Sequence, residues 1–455
     1  MSSDHPFRVA VVGSGPAGFY AAGALLASAE PVFEVDMFER LPTPWGLVRL
    51  GVAPDHPKIK SVSRAFEKIA QRSGFRFFGN VEVGRDLEHE ELTGLYDAVV
   101  YAFGAQADRR MGIQGEDLPG SWPATAFVAW YNGHPDIQEI SFDLSSERAV
   151  VVGNGNVAVD VARMLALTAD ELDPTDTTDD AIAAIVGSGI REILVLGRRG
   201  PAQAAFTPPE LQELTELAGA DLVVDAAALE LDPASAAALS DDTAIARRNV
   251  ELLREAAGYP AAGKPKTLRL RFCVSPIAIL GDGRVEAVEV VRNELVADAS
   301  GRIRAVATDD REVIPCGIVL RSVGYRGMAM PGVPFDEERA TIRNCDGRVL
   351  DDEGEPIRGV YCTGWIKRGP SGVIGTNKKD ATETVQLLLE DAAAGLLPRR
   401  SGGDAADLLA ERSVTPVTYA GWEAIDAVER ARGEEQGRPR VKLCRWDELI
   451  AAAGR

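Results

Sequence analysis

Two six-residue windows, Gly13-Ser14-Gly15-Pro16-Ala17-Gly18 and Gly153-Asn154-Gly155-Asn156-Val157-Ala158, place small residues at the spacing of an anion-binding turn. The first glycine permits a tight turn, the second lets a pyrophosphate approach the backbone, and the third position brings helix close to strand. The helix that follows offers unpaired amides and the positive end of its dipole to phosphate. What lies at the end of the next strand separates the two windows. After the first comes Glu39, near the spacing at which a carboxylate accepts hydrogen bonds from an adenosine ribose without a 2′-phosphate. After the second comes Gly197-Arg198-Arg199-Gly200, whose paired guanidinium groups suit the 2′-phosphate of NADP in charge and in hydrogen bonding. Two different dinucleotides are therefore expected.

The elements needed to hold these turns are readable as hydrophobic periodicity. Residues 7–12 read as a strand, 15–27 as a helix and 33–39 as a strand, a βαβ unit. The second unit runs from a strand at 149–152 through a helix ending at Leu165 to a strand at 193–196. It is lengthened by an acidic stretch, Asp170 to Asp180, which reads as a solvated insertion. Val9 to Ala29 carries no charge and has the length of an apolar leader or membrane span, but Gly13, Gly15, Pro16 and Gly18 interrupt it where an apolar helix wants Leu or Val. A buried strand, turn and helix explains the stretch better, and no membrane insertion is expected.

Strands at 96–103 and 317–323, ending at Gly104-Ala105 and Gly324-Tyr325, read as two crossings between domains. The expected fold is α/β with two Rossmann-like domains, the second inserted in the first: residues 1–105 and 324–455 for one, 106–323 for the other. A last strand at 359–362 leads into Thr363-Gly364-Trp365, a glycine-rich turn and a helix from about 377 to 391. The tail holds an amphipathic stretch at 422–432 that reads as a packing or solvated helix, without assigned chemistry.

Composition narrows the field further. With 455 residues, 45% hydrophobic and 26% charged, the chain has room for two to four domains at roughly 100–200 residues each. Lys plus Arg number 49 against 69 Asp plus Glu, a net charge of −20, which opposes a nucleic-acid partner because phosphate binding needs a basic field. The five cysteines are far apart with no C-x-x-C, and only four histidines are present, so neither a disulfide framework nor a metal site is expected. A reducing cytoplasm fits best.

Longer motifs add a resemblance. Leu41-Pro42-Thr43-Pro44-Trp45-Gly46-Leu47-Val48-Arg49, Gly51-Val52-Ala53-Pro54-Asp55-His56-Pro57-Lys58, the second glycine window, Gly197 to Pro201, and Trp365 to Asn377 occur in order between residue 7 and about residue 390. The chain resembles the adrenodoxin-reductase family of ferredoxin-NADP reductases, most closely its bacterial members. The resemblance implies that FAD, held at the first turn (Gly13, Gly15, Gly18), contacts Ala17, Glu39, Leu47, Val83, Trp365, Gly372, Val373 and Ile374. It implies that NADP(H) contacts Arg109, Asn154, Gly155, Asn156, Val157, Arg198, Arg199, Glu210 and Gly372, with His56 and Glu213 near flavin and nicotinamide. Pro208-Pro209 before Glu210 departs from the pattern and would start the next helix rigidly. The implied activity takes hydride from NADPH to FAD and delivers electrons singly to an iron-sulfur ferredoxin. That partner is expected to bind transiently, steered by Lys58, Lys60, Arg64, Lys68, Arg247 and Arg248, and a monomer is favoured. A dithiol reductase lacks its cysteine pair here, whereas a flavin monooxygenase or a quinone (diaphorase-type) reductase stays open as the alternative.

Overall fold

The computed structural model describes residues 5–241, 244–299, 301–372, 374–400 and 402–454. The chain forms two compact units, one of Met1–Val52, His56–Arg109 and Gly324–Arg455, the other of Ala53–Asp55 and Arg110–Val323. The second is thus inserted in the first.

The first unit is built on a seven-stranded sheet. Its parallel core runs Pro356–Cys362, Ala98–Tyr101, Phe7–Val12, Phe33–Phe38, Phe75–Phe78, with register Val11 opposite Met37 and Val100. Two short antiparallel strands, Asn344–Cys345 and Arg348–Leu350, extend the Pro356–Cys362 side. The central strands read as unbroken apolar runs because both faces are covered. Val9, Val11, Phe19, Leu25, Phe66 and Trp422 fill one face, and Ala10, Val12, Phe38, Leu87, Tyr96 and Leu409 fill the other. From Phe7–Val12 the chain goes first to one neighbour, Phe33–Phe38, and later to the opposite neighbour, Ala98–Tyr101. This switch opens a crevice at the carboxyl end of the first strand, where Gly13 stands.

The second unit has a six-stranded, all-parallel sheet in the order Ser121–Pro123, Ile318–Arg321, Arg148–Val152, Glu192–Gly197, Lys266–Phe272, Ala220–Val224. Helices including Asn156–Ala166 cover one face. A three-stranded antiparallel sheet, Val274–Leu280, Ala287–Ala297 and Ile303–Pro315, brings Ile279, Val288, Val290 and Ile314 against Val150, Val152, Leu194 and Leu196 on the other.

Two expectations change. The acidic stretch is not a solvated insertion: Ala169–Leu172 and Asp179–Val186 are short helices, and Thr175 to Thr178 between them are buried. Hydroxyls satisfy that turn, with Thr175 and Thr177 Oγ1 2.6 Å apart, and Ala181 and Ile185 enter the core, so of its charges Asp176 is buried in the turn while Asp170, Asp173, Asp179 and Asp180 stay exposed. The helix placed at 377–391 runs from Ile374 to Ala393. No described helix is long and apolar enough to cross a membrane.

Candidate functional site: two dinucleotide turns

In the first unit the Phe7–Val12 strand turns at Gly13, whose φ of +103° is open to glycine alone among unstrained residues. Pro16, at the start of the Pro16–Leu25 helix, gives up no hydrogen bond there. A side chain on Gly18 would strike Gly13 O at 2.0 Å, whereas no described residue lies within 4 Å of the space in front of Gly15. The turn is therefore packed behind and open in front, as an approaching pyrophosphate requires. Glu39 closes one side, with Oε2 accepting from Ser14 N (3.1 Å) and Ser14 Oγ (2.6 Å), and Oε1 from Leu41 N (3.1 Å). A carboxylate has about four acceptor positions, so capacity for a ribose hydroxyl remains.

The end of the Pro356–Cys362 strand forms the opposite wall. Thr363 Oγ1 donates to Asp380 at 2.9 Å, Gly364 N donates to the same carboxylate, and a Cβ on Gly364 would stand 2.6 Å from Ala17 Cβ. Trp365, just beyond, has a buried Nε1 with no hydrogen-bond partner among the described residues. Such a donor asks for a ligand acceptor. Ile374 begins its helix half-buried and Gly372 is exposed at φ +80°, while Val373 lies outside the described residues. Leu47 is 39% exposed, but Val83 is buried on the other sheet face with Val81 and Leu87. His56 is buried at the N-cap of Pro57–Lys60 and makes no side-chain cap. Arg109 belongs to this unit and not to the unit of the second turn: its N and Nε donate to Gly324 O (2.9 Å) and Tyr325 O (3.2 Å), joining the two crossings.

The second turn repeats the geometry. Gly153 has φ +132°, with Ser322 O 2.2 Å from where a Cβ would lie, and the space in front of Gly155 is open. Buried Ala158 takes the third position. Asn154 Nδ2 is buried and has no partner among the described residues, while Asn156 Oδ1 accepts from Thr207 N at 2.9 Å and so anchors the Pro208–Glu216 helix, which starts on its two prolines. Val157 is half-buried on the first turn of its own helix. At the end of Glu192–Gly197, Arg198 is exposed and Arg199 half-buried. Neither guanidinium has an acidic partner among the described residues, and burial together with the like charge of Arg198 pushes the Arg199 pKa below its ordinary value. A dianion at this corner relieves both penalties. The backbone there is fixed from below, since Asn293 Nδ2 donates to Arg198 O at 2.8 Å.

Glu210 and Glu213 are brought together by a residue that sequence reasoning passed over. Arg163, 2% exposed on Asn156–Ala166, donates to Glu213 (2.8 Å), Glu210 (3.2 Å), Asp160 (2.9 Å) and both oxygens of Asp55 (2.7 and 3.0 Å). Burial opposes its charge, but the surrounding carboxylates win and raise its pKa. Asp55 directly precedes His56, so one guanidinium anchors the residue before it and the two glutamates. The available signal was an arginine set between core residues Ala162 and Met164 of an apolar helix.

Both turns thus have the geometry of dinucleotide turns, and the second has the charge to suit a phosphorylated one. Residues 7–194 match the pyridine nucleotide-disulphide oxidoreductase family, although all five cysteines here are free thiols. The NADPH-ferredoxin reductase FprA of Mycobacterium tuberculosis is 50% identical, with 98% of each chain covered. The human mitochondrial NADPH:adrenodoxin oxidoreductase is 44% identical, with 98% of this chain and 92% of the human one covered. A structure of Mycobacterium tuberculosis FprA in complex with NADPH superposes with a TM-score of 0.93 at 49% identity, covering 99% of this chain and 100% of that one. Identity of this order across the whole length, together with two glycine turns that end in Glu39 and in Arg198-Arg199, makes the chain a member of the adrenodoxin-reductase-like family of NADPH-ferredoxin reductases.

Proposed function

We propose that this chain is an FAD-containing NADPH:ferredoxin oxidoreductase. When bound, FAD takes hydride from NADPH and passes the electrons singly to an iron-sulfur ferredoxin. In this reading Gly13, Gly15 and Gly18 with the following helix hold the flavin pyrophosphate, and Glu39 takes the adenosine ribose. Ala17, Leu47, Val83, Trp365, Gly372, Val373 and Ile374 surround the rest of that cofactor. Asn154, Gly155, Asn156 and Val157 hold the second pyrophosphate, Arg198 and Arg199 the 2′-phosphate, and Arg109, Glu210 and Gly372 complete the NADP(H) site. His56 and Glu213 align the nicotinamide and move the accompanying proton, Glu213 doing so from an ion pair with Arg163. The observation that carries the reading is the pair of guanidinium groups, without acidic partners among the described residues, at a strand end beyond an open glycine turn.

The test is anaerobic stopped-flow mixing with NADPH. Rapid bleaching of the flavin, followed by reduction of an added ferredoxin, is expected. A flavin that NADPH leaves oxidised refutes the activity, and NADPH oxidation that needs oxygen and a tightly coupled organic substrate points to a monooxygenase instead.

Docking of the ferredoxin is electrostatic in this proposal, despite the charge of −20, because the field within about a Debye length, roughly 8 Å, decides encounter. Lys58, Arg64 and Lys68 are exposed on consecutive short helices. Arg248 contributes less than its position suggests, since Glu251 and Glu255 share its guanidinium at 3.2 and 3.3 Å. Ferredoxin reduction should fall as salt rises while reduction of a small neutral quinone holds steady; equal salt dependence of the two removes the steering. The five free thiols fit a cytoplasmic enzyme, and sedimentation as a monomer is expected.

A further inference from the structure

The C-terminal tail, which carries no assigned chemistry, grips the segment that lies on the first glycine turn. Arg49 is 5% exposed and Glu429, on the Tyr419–Glu435 helix, is fully buried. Arg49 Nη1 donates to Glu429 Oε2 at 2.9 Å, and Nη2 donates to Oε1, a bidentate pair. The same carboxylate accepts from Leu443 N at 2.9 Å and Arg440 Nη1 at 3.1 Å. The Arg49 guanidinium lies 5.2 Å from the centroid of Trp422, whose ring meets Trp45 edge-on at 6.1 Å.

What the tail holds is strained and functionally placed. Trp45 has φ +85°, a conformation costly for a bulky residue, and its N donates to Ser14 O at 3.1 Å. A Cβ on Gly46 would stand 2.9 Å from Gly15 Cα. Strained backbone persists where its surroundings over-determine it; Phe19 (4.7 Å) and Phe66 (5.7 Å) pack on Trp45 from within the sheet unit, the tail adds Trp422, and Glu429 fixes Arg49 four residues on. A buried ion pair adds little net stability, since desolvation offsets attraction, but it admits few geometries.

We propose that Glu429, acting through Arg49, is a positioning residue of the flavin site: the tail holds Trp45–Leu50 against the Gly13–Gly18 turn, so that FAD retention depends on it. This rests on the FAD reading above. Trp45–Leu50 released from the tail would relax its backbone and withdraw one wall of the pyrophosphate turn.

Holoenzymes carrying Glu429→Gln, Glu429→Asp and Trp422→Leu are compared with Asp391→Asn, which breaks a different ion pair of the same unit, that with Arg348. FAD release is followed by the fluorescence of freed flavin in sub-denaturing urea, and the visible circular dichroism of bound flavin is recorded beside Tm. Glu429→Gln should release FAD about tenfold faster than wild type and alter the flavin dichroism, with Glu429→Asp recovering part of the loss. Asp391→Asn should do neither at a comparable loss of Tm. If Glu429→Gln does not fold, Trp422→Leu should show the same pattern at smaller size. FAD release tracking Tm alike in all variants overturns the inference. A wild-type protein that neither contains nor takes up FAD overturns the functional reading instead.

Discussion

Replacing Arg198 and Arg199 by alanine should change coenzyme choice without changing the fold. Both side chains leave the end of the Glu192–Gly197 strand, and neither is engaged with an acid among the described residues, so their removal breaks no ion pair among them. The loss falls on the bound 2′-phosphate. A hydrogen bond to a charged group is worth about 1.5–3 kcal/mol, a factor of about 10 to 100 in kcat/KM. Exposed Arg198 belongs at the lower end because solvent and salt screen it, and half-buried Arg199 at the upper end. Their mutual repulsion, one cause of the lowered Arg199 pKa, implies non-additivity: either single variant already removes the repulsion that the bound phosphate would relieve, so the double variant should lose less than the two singles combined. NADH, lacking the phosphate, should keep its kcat/KM. Steady-state kinetics with both coenzymes at two ionic strengths tests each part, and the Arg198 contribution should shrink at high salt. An unchanged NADPH-to-NADH ratio in the double variant, or an equal loss for both coenzymes, refutes the assignment.

Arg163→Met should destabilise the second unit by about 3–5 kcal/mol, because it leaves Asp55, Asp160, Glu210 and Glu213 without their shared cation; an unchanged urea midpoint would contradict this. His56→Gln and Glu213→Ala should each slow flavin reduction moderately, since hydride transfer needs alignment but no protein nucleophile. Wild-type reductive half-reactions in both, across about pH 6 to 9, would remove them from the mechanism. Burial pushes the Glu429 carboxyl up, but Arg49 and then Arg440 outweigh it and leave its pKa below the ordinary value. A depressed folded pKa gives stability that is complete above the unfolded value of about 4.3 and lost as pH falls through the folded one. The first unit should therefore lose Tm in that acid window, and Glu429→Gln should lose less there than wild type; parallel acid profiles would rule the pair out as the cause.

What was legible in the sequence was local. Glycine turns, the strand before each and the polar residues after the next strand are constrained by a few neighbouring dihedral angles, so Gly13, Gly153, Glu39 and Arg198 announce their places in the fold. The insertion of one unit in the other was legible from two apolar strands that each end in glycine. The rest depends on partners distant in sequence. Arg163 is marked in the sequence only as a charge within an apolar helix, and its partners appear once Asp55 and the Pro208–Glu216 helix are brought to it. The stretch from Asp170 to Asp180 has the composition of a loop, and only hydroxyl pairing and two core residues make it part of the fold. Glu429 meets Arg49 across most of the chain, a contact that no local pattern encodes.

The discontinuity of the first unit also has a consequence for biosynthesis. Its Ala98–Tyr101 strand must wait for Pro356–Cys362, and Gly79 for Val417. The second unit closes its parallel sheet almost wholly within Arg110–Val323. On a ribosome, where domains fold as they emerge, the inserted unit can be native while the outer one is still an open half-sheet with exposed strand edges. Flavin loading is then a late event that waits for the Pro356–Cys362 strand, and the half-made outer sheet exposes strand edges until that strand arrives. Pulse-labelled hydrogen exchange during refolding should protect Val150 and Val151 before Val99 and Val100; the reverse order would contradict this sequence of events.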